Sequence, residues 1–205
     1  MIGSNLLKHA KEFCRYVRNY QYETSAQGIF FPKANATIGG VYSHWITGYE
    51  SEIQHDANLI PNQGLAYILD NILITAAASL KTNWYVGLAS NTAEPDAATT
   101  HALWTGNYTE ITTGFTNNSL VQRAPFDVTD GVDTADYSIT NDTVPATFDF
   151  TASHTIWGAA VMSTQTVGSN SASEILLSHA KFASSRDVVN TDQFNLRYKL
   201  DIDAT

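Results

Sequence analysis

The sequence predicts a mainly β protein: an antiparallel β-sandwich of jelly-roll-like type with one packed helix, preceded by an N-terminal helix and an extended arm. Three observations predict it. In the last stretch, Phe194, Leu196, Tyr198, Leu200 and Ile202 alternate with Asn195, Arg197, Lys199, Asp201 and Asp203, the pattern of a half-buried antiparallel strand. Residues 61–80 carry the clearest helical periodicity, and everything after them reads as strand and turn. Apolar residues make up 43% of the 205, enough for a real core, whereas charged residues make up only 15%, below the usual quarter. Thr, Ser and Asn fill the difference and favour a β-rich body with large contact surfaces.

Two regions follow from the patterning, an N-terminal helix with an aromatic arm over 1–57 and a β-sandwich body over 58–205. From Ser4 to Tyr20 the apolar positions Leu6, Ala10, Phe13, Val17 and Tyr20 are spaced four, three, four and three apart, a heptad-like seam too short to stand alone in water. Cys14 falls among these apolar positions. As the single cysteine, it excludes an intrachain disulfide and a thiolate metal site. Residues 21–58 are punctuated by Gly28, Pro32, Gly39, Gly40 and Gly48 but rich in rings, and read as an arm lying on a surface, with a short strand at 40–46. Such an arm is unusual inside one compact domain and natural where it covers another chain. The interface residues expected on this ground are Phe30, Phe31, Tyr42 and Trp45, with Arg15 and Arg18 of the first helix, because aromatic and Arg side chains are the usual anchors of interfaces.

In the body, Pro61 fits a first helical turn, and Leu65, Ile68, Leu69, Ile72, Leu73, Ala76 and Leu80 form one apolar face. Gly64 weakens that helix slightly. Trp84, Val86 and Leu88 alternate with Tyr85, Gly87 and Ala89, which predicts a central strand covered on both faces, with the helix packed against it. A turn at 91–96 follows. Further strands are expected at 107–113, 118–124, 136–139, 146–151, 154–163 and 174–182, with loops at Asp130-Gly131 and 168–170.

Charge is unevenly spread. Residues 1–33 hold Lys8, Lys11, Arg15, Arg18 and Lys33 against Glu12 and Glu23, so they carry +3 of a net −9 and the remainder carries −12. An acidic body repels nucleic acid and anionic lipid, and the basic segment suits an acidic partner or a second copy. Neither a signal-peptide core nor a run near the ~20 apolar residues of a membrane span is present, so the expectation is synthesis in a cytoplasm.

Motifs for chemistry are missing. Gly87-Leu-Ala-Ser90 is not a nucleophile elbow, Gly39-Gly40 does not open a phosphate loop, and no H-E-x-x-H occurs. His44, Glu50, Glu52, His55 and Asp56 lack metal-ligand spacing. Asp127, Asp130, Asp133 and Asp136 are spaced by three rather than alternating as in a calcium loop. His154 and His179 fall in strands, as wall residues rather than bases. Trp104 and Tyr108 can stack on sugars or pack in a core. No catalytic, cofactor or metal residue is therefore expected.

From Asn58 onward, about two-thirds of the chain, an ordered set of blocks supports a resemblance. They are Asn58-Leu59, Gly64-Leu65-x-x-x-Leu69, Trp84-Tyr85-Val86-Gly87-Leu88, Glu94-Pro95, Ala146-Thr147-Phe148-Asp149-Phe150-Thr151, Thr155-Ile156-Trp157-Gly158-Ala159, Leu176-Leu177-Ser178-x-Ala180-Lys181-Phe182, Arg186-Asp187-Val188 and Leu196-x-Tyr198-x-Leu200. In these the chain resembles accessory virion proteins of tailed bacteriophages, of the capsid decoration (cement) or head-associated type. The resemblance implies a non-enzymatic virion protein that binds the major capsid protein or another virion protein, works as a homodimer or homotrimer, and stabilises the shell. The alternative is a neck, tail or fibre component that joins virion parts or recognises host glycan.

Overall fold

The computed structural model describes residues 22–24, 30–32, 36–73, 81–128 and 137–204. The chain divides into two compact units, one of residues 1–37 with 203–205 and one of residues 38–202. In the first, β1 (Tyr22–Thr24) pairs antiparallel with β2 (Phe30–Pro32), Glu23 opposite Phe31. The Ser4–Tyr20 helix, Cys14, Arg15 and Arg18 lie outside the described residues.

The second unit is an antiparallel β-sandwich. Its smaller sheet has the order β11 (Leu176–Val188), β10 (His154–Met162), β5 (Tyr85–Ala89), β7 (Ala124–Pro125). The larger has the order β4 (Gln54–Ala57), β3 (Ala36–Ile46), β12 (Gln193–Ala204), β9 (Ala146–Phe150), β6 (Phe115–Thr116), with β8 (Ser138–Thr140) also on β12. Inward residues of both sheets make the main core. Val86 and Leu88 of β5, Ile156 and Val161 of β10, and Phe182 of β11 meet Tyr42, Phe148, Phe150, Phe194, Leu196 and Tyr198. The alternation along β12 thus has its expected cause over Phe194, Leu196, Tyr198 and half-buried Leu200, which face the opposite sheet, whereas Ile202 is exposed.

The outer face of the smaller sheet is covered too. Ala89, Ala160, Met162 and Leu176 pack under Trp104 and Tyr108, carried by α2 (His101–Asn107) and its end. This short helix was not expected. It occupies the approach to the strand predicted at 107–113, where Thr109 turns left-handed (φ 51°) and Glu110 makes an isolated bridge to Ala89. The strand predicted at 118–124 is replaced by a two-residue hairpin turn, Asn117 and Leu120 exchanging both backbone hydrogen bonds around left-handed Asn118 and Ser119. Of that stretch only Ala124, the first residue of β7, is strand.

The leading helix, α1 (Asn62–Leu73), packs mainly on β11 rather than on β5. Gly64 permits this: a Cβ there would overlap the Leu177 carbonyl oxygen of β11. Residues 74–80 of the predicted helix lie outside the described residues.

The boundary between arm and body needs correction. Residues 38–57 belong to the sandwich, in β3 and β4, not to an arm ending at 57. Gly40, read both as punctuation and as the start of a short strand at 40–46, lies inside the longer β3, where a Cβ would overlap the Lys199 carbonyl of β12. The ring-rich composition marked a core strand.

Candidate functional site

Buried polar side chains fall into two networks. The first joins the sheets. From β3, His44 meets Asp56 of β4, Nε2 to Oδ2 at 2.9 Å, and the other Asp56 oxygen accepts the Ala183 backbone N–H of β11 at 2.7 Å. Arg186 of β11 donates to His44 Nδ1 at 3.4 Å and to the Glu52 carbonyl oxygen. His44 stacks on Phe182, ring centroids 3.7 Å apart. Burial pushes the His44 pKa down to about 4, against the opposing pull of Asp56. The neutral ring donates from Nε2 and accepts at Nδ1, so neither nitrogen is left to take a proton from a substrate. The Asp–His pair is a latch, not a general base.

The second network clamps the 163–171 connection. Arg123 is fully buried and holds Glu110 through Nε and Nη2, at 2.6 and 2.8 Å. Its Nη1 donates to the Thr164 carbonyl at 3.0 Å, and Glu110 also accepts the Gly168 N–H at 2.7 Å. His101 Nδ1 donates to the Ser171 carbonyl at 2.9 Å, leaving Nε2 to face Arg123 at 3.4 Å. Burial, opposed by the Ser171 bond, lowers the His101 pKa. Here too every ionised group is matched to a partner within the fold, as buried charge requires.

Of the interface residues expected from sequence, Tyr42 and Trp45 are corrected. Tyr42 is a core residue, its hydroxyl 2.6 Å from Ser178 Oγ across the sheets. Trp45 is only 7% exposed and lies beneath the Arg197 guanidinium, 4.8 Å from its ring centre. Their alternation along β3 sends them to the two faces of a sheet inside this subunit. Phe30 and Phe31 lie on β2 of the first unit. Trp104 and Tyr108, considered as sugar-stacking rings, are buried and stacked on one another.

His55 bonds Ser43 at 2.7 Å, and among the described residues no three His, Cys, Asp or Glu side chains gather around a possible metal position. Asp130, Asp133 and Asp136 lie outside the described residues. His179 is buried against the edge of Tyr108, and neither ring nitrogen makes a hydrogen bond. Burial holds its pKa down to about 4, with Asp96 opposing the shift.

Two open grooves flank these networks. One, of about 450 Å³, lies between residues 56–59 and 181–183, bridged by the Lys181–Glu94 ion pair. The other, also about 450 Å³, runs past the start of β5 and the end of β7. Sequence reasoning missed this second groove. Its only signal was the pair Trp84-Tyr85, read as core. No described helix is long and apolar enough to cross a membrane. No protein-family model and no curated protein matches the sequence.

Proposed function

We propose that this chain is a non-enzymatic structural protein of a tailed-phage virion, binding the capsid shell as a decoration protein. The observation that carries this reading is the use made of buried charge. The first buried network joins the two sheets, the second ties the 163–171 connection to α2 and the segment ahead of β7, and their histidine nitrogens are spent on partners within the fold. That suits a body that holds its shape under load. A catalytic site instead keeps a titratable group facing a cleft.

The edges of the smaller sheet support docking through side chains rather than added strands. The β7 edge ends in Pro125, which has no N–H to donate, and the β11 edge is bridged at His179 by Leu59. Exposed Leu120 and Val121 on the hairpin tip, 60% and 49% accessible, are side chains a neighbour can cover. The major capsid protein, or another virion protein, is the partner proposed, with association of this chain into dimers or trimers multiplying weak contacts.

The test is quantitative mass spectrometry of density-purified particles from cells producing the chain. Decoration requires a copy number matching the many capsomers of a shell. A number matching the few subunits of a neck or tail ring moves the protein there, and absence from particles refutes the reading. Because β3 starts at Ala36, the truncation that probes the N-terminal segment removes residues 1–35. That chain is expected to fold and to lose particle binding.

A further inference from the structure

We infer that the groove at the start of β5 is a binding site for a neutral oligosaccharide. It is lined by Thr82, Asn83, Trp84, Tyr85, Asp127 and Gln165, and it continues past Tyr85, Asn83 and Gln165 into a further recess of about 300 Å³. Together the two fall within the size range of small-ligand sites. This inference goes beyond the structural role proposed above and holds wherever the protein sits on a particle.

Three features select the ligand. First, the groove offers hydrogen-bonding capacity that the fold does not consume. The side chains of Thr82, Asn83, Asp127 and Gln165 and the Tyr85 hydroxyl make no hydrogen bond or ion pair among the described residues. In the buried networks, by contrast, nearly every group is committed. Two primary amides, two hydroxyls and a carboxylate present donors and acceptors side by side, which matches the paired donor–acceptor character of sugar hydroxyls.

Second, the groove supplies aromatic surface. Tyr85 lines both parts. Trp84 is held by the edge of Tyr67, ring centroids 5.3 Å apart and planes at 77°. Half-buried rings with fixed orientation pack against the C–H faces of a pyranose at little entropic cost.

Third, charge selects against anions. Among the described residues the cation at the rim is Lys81, which is bound to Glu174 at 2.9 Å and leaves Asp127 as the charge not engaged by them. A carboxylate accepts from neutral sugar hydroxyls but repels uronic and sialic acids. An extended peptide is disfavoured by Pro125, which removes a backbone donor from the groove's β7 wall.

The experiment uses the full chain. It is screened on an array of neutral and acidic bacterial surface polysaccharides, and the strongest neutral hit is titrated as an oligosaccharide into ¹⁵N-labelled protein. The expected affinity is weak, with Kd on the order of 1 mM or below, as befits an open groove. The Trp84 indole and the Asn83 and Gln165 side-chain amides are expected to shift, and the indoles of Trp45 and Trp104 to stay. Asn83→Ala combined with Gln165→Ala should weaken binding about tenfold. Tyr85→Ala should abolish it and Tyr85→Phe keep most of it. Melting curves confirm that each variant is folded, and the exposed Asn83→Arg, which fills the groove, serves as a blocking variant free of core damage. No binding to any neutral saccharide, binding to acidic ones alone, shifts mapping to the Lys181–Glu94 groove, or affinity unmoved by Asn83→Arg each overturns the inference.

Discussion

Replacing Arg123 by Met tests the buried clamp most directly. The change keeps side-chain bulk but deletes two hydrogen bonds to Glu110 and one to the Thr164 carbonyl. Glu110, 8% exposed, is left with the Gly168 N–H and no counter-charge. Removing one partner of a buried pair costs about 3–5 kcal/mol, because the other charge stays desolvated. For a chain of this size each kcal/mol lowers Tm by about 2–4 °C, so the drop is about 6–20 °C. Urea unfolding followed by tryptophan fluorescence gives the free energy by linear extrapolation. Glu110→Leu combined with Arg123→Met removes both charges and should recover most of the loss, ending within about 2 kcal/mol of the parent. A loss under about 1 kcal/mol for Arg123→Met, or a double variant as unstable as the two single losses added, would refute the claim that these groups are coupled and dry.

Three further outcomes are expected. Gly64→Ala gains up to about 1 kcal/mol of helix propensity but drives a methyl into the Leu177 carbonyl. Net destabilisation of about 1–2 kcal/mol in the same urea assay is expected, and a stabilised variant would show that α1 does not touch β11. His44 and His179 are held near pKa 4 against about 6.5 in the unfolded chain. The unfolded state therefore binds more protons between these values, so stability is complete above pH 6.5 and falls as pH drops towards 4, by on the order of 2–3 kcal/mol for each ring. Urea midpoints at pH 7.5 and 4.5 check this, with His179→Gln flattening part of the slope; a parent midpoint that does not move with pH refutes it. Leu120→Ser with Val121→Ser should change stability by no more than about 0.5 kcal/mol while weakening particle association, and a large loss of stability would place these side chains in the core.

The sequence was most legible where one element faces one environment. The 193–203 alternation, the helix behind Pro61 and the strand at Trp84–Leu88 were all read from period alone, because a sheet face or helix face against a core imposes that period. Reading failed where a signal had two physical causes. Gly40 marks either a turn or two strands in close approach, and Tyr42 and Trp45 suit an interface or a core equally well. The strand expected at 118–124 has suitable residues but is broken by Asn118 and Ser119, whose left-handed backbone a one-dimensional pattern does not encode. The groove was hidden for another reason. Asn83, Asp127 and Gln165 are distant in sequence and ordinary one by one, and only the antiparallel neighbours β7, β5 and β10 bring their flanking segments together.

By itself, then, the chain's order of residues determined the class of fold, the half-buried final strand and an acidic body, since periodicity and charge are sums over local choices. Tertiary structure alone decided that His44 and Asp56 latch onto Arg186, that Arg123 closes on Glu110, and that β4 pairs with β3 inside the sandwich. Those pairings join positions up to 142 residues apart, and the desolvation that makes each one matter exists only once the layers have met.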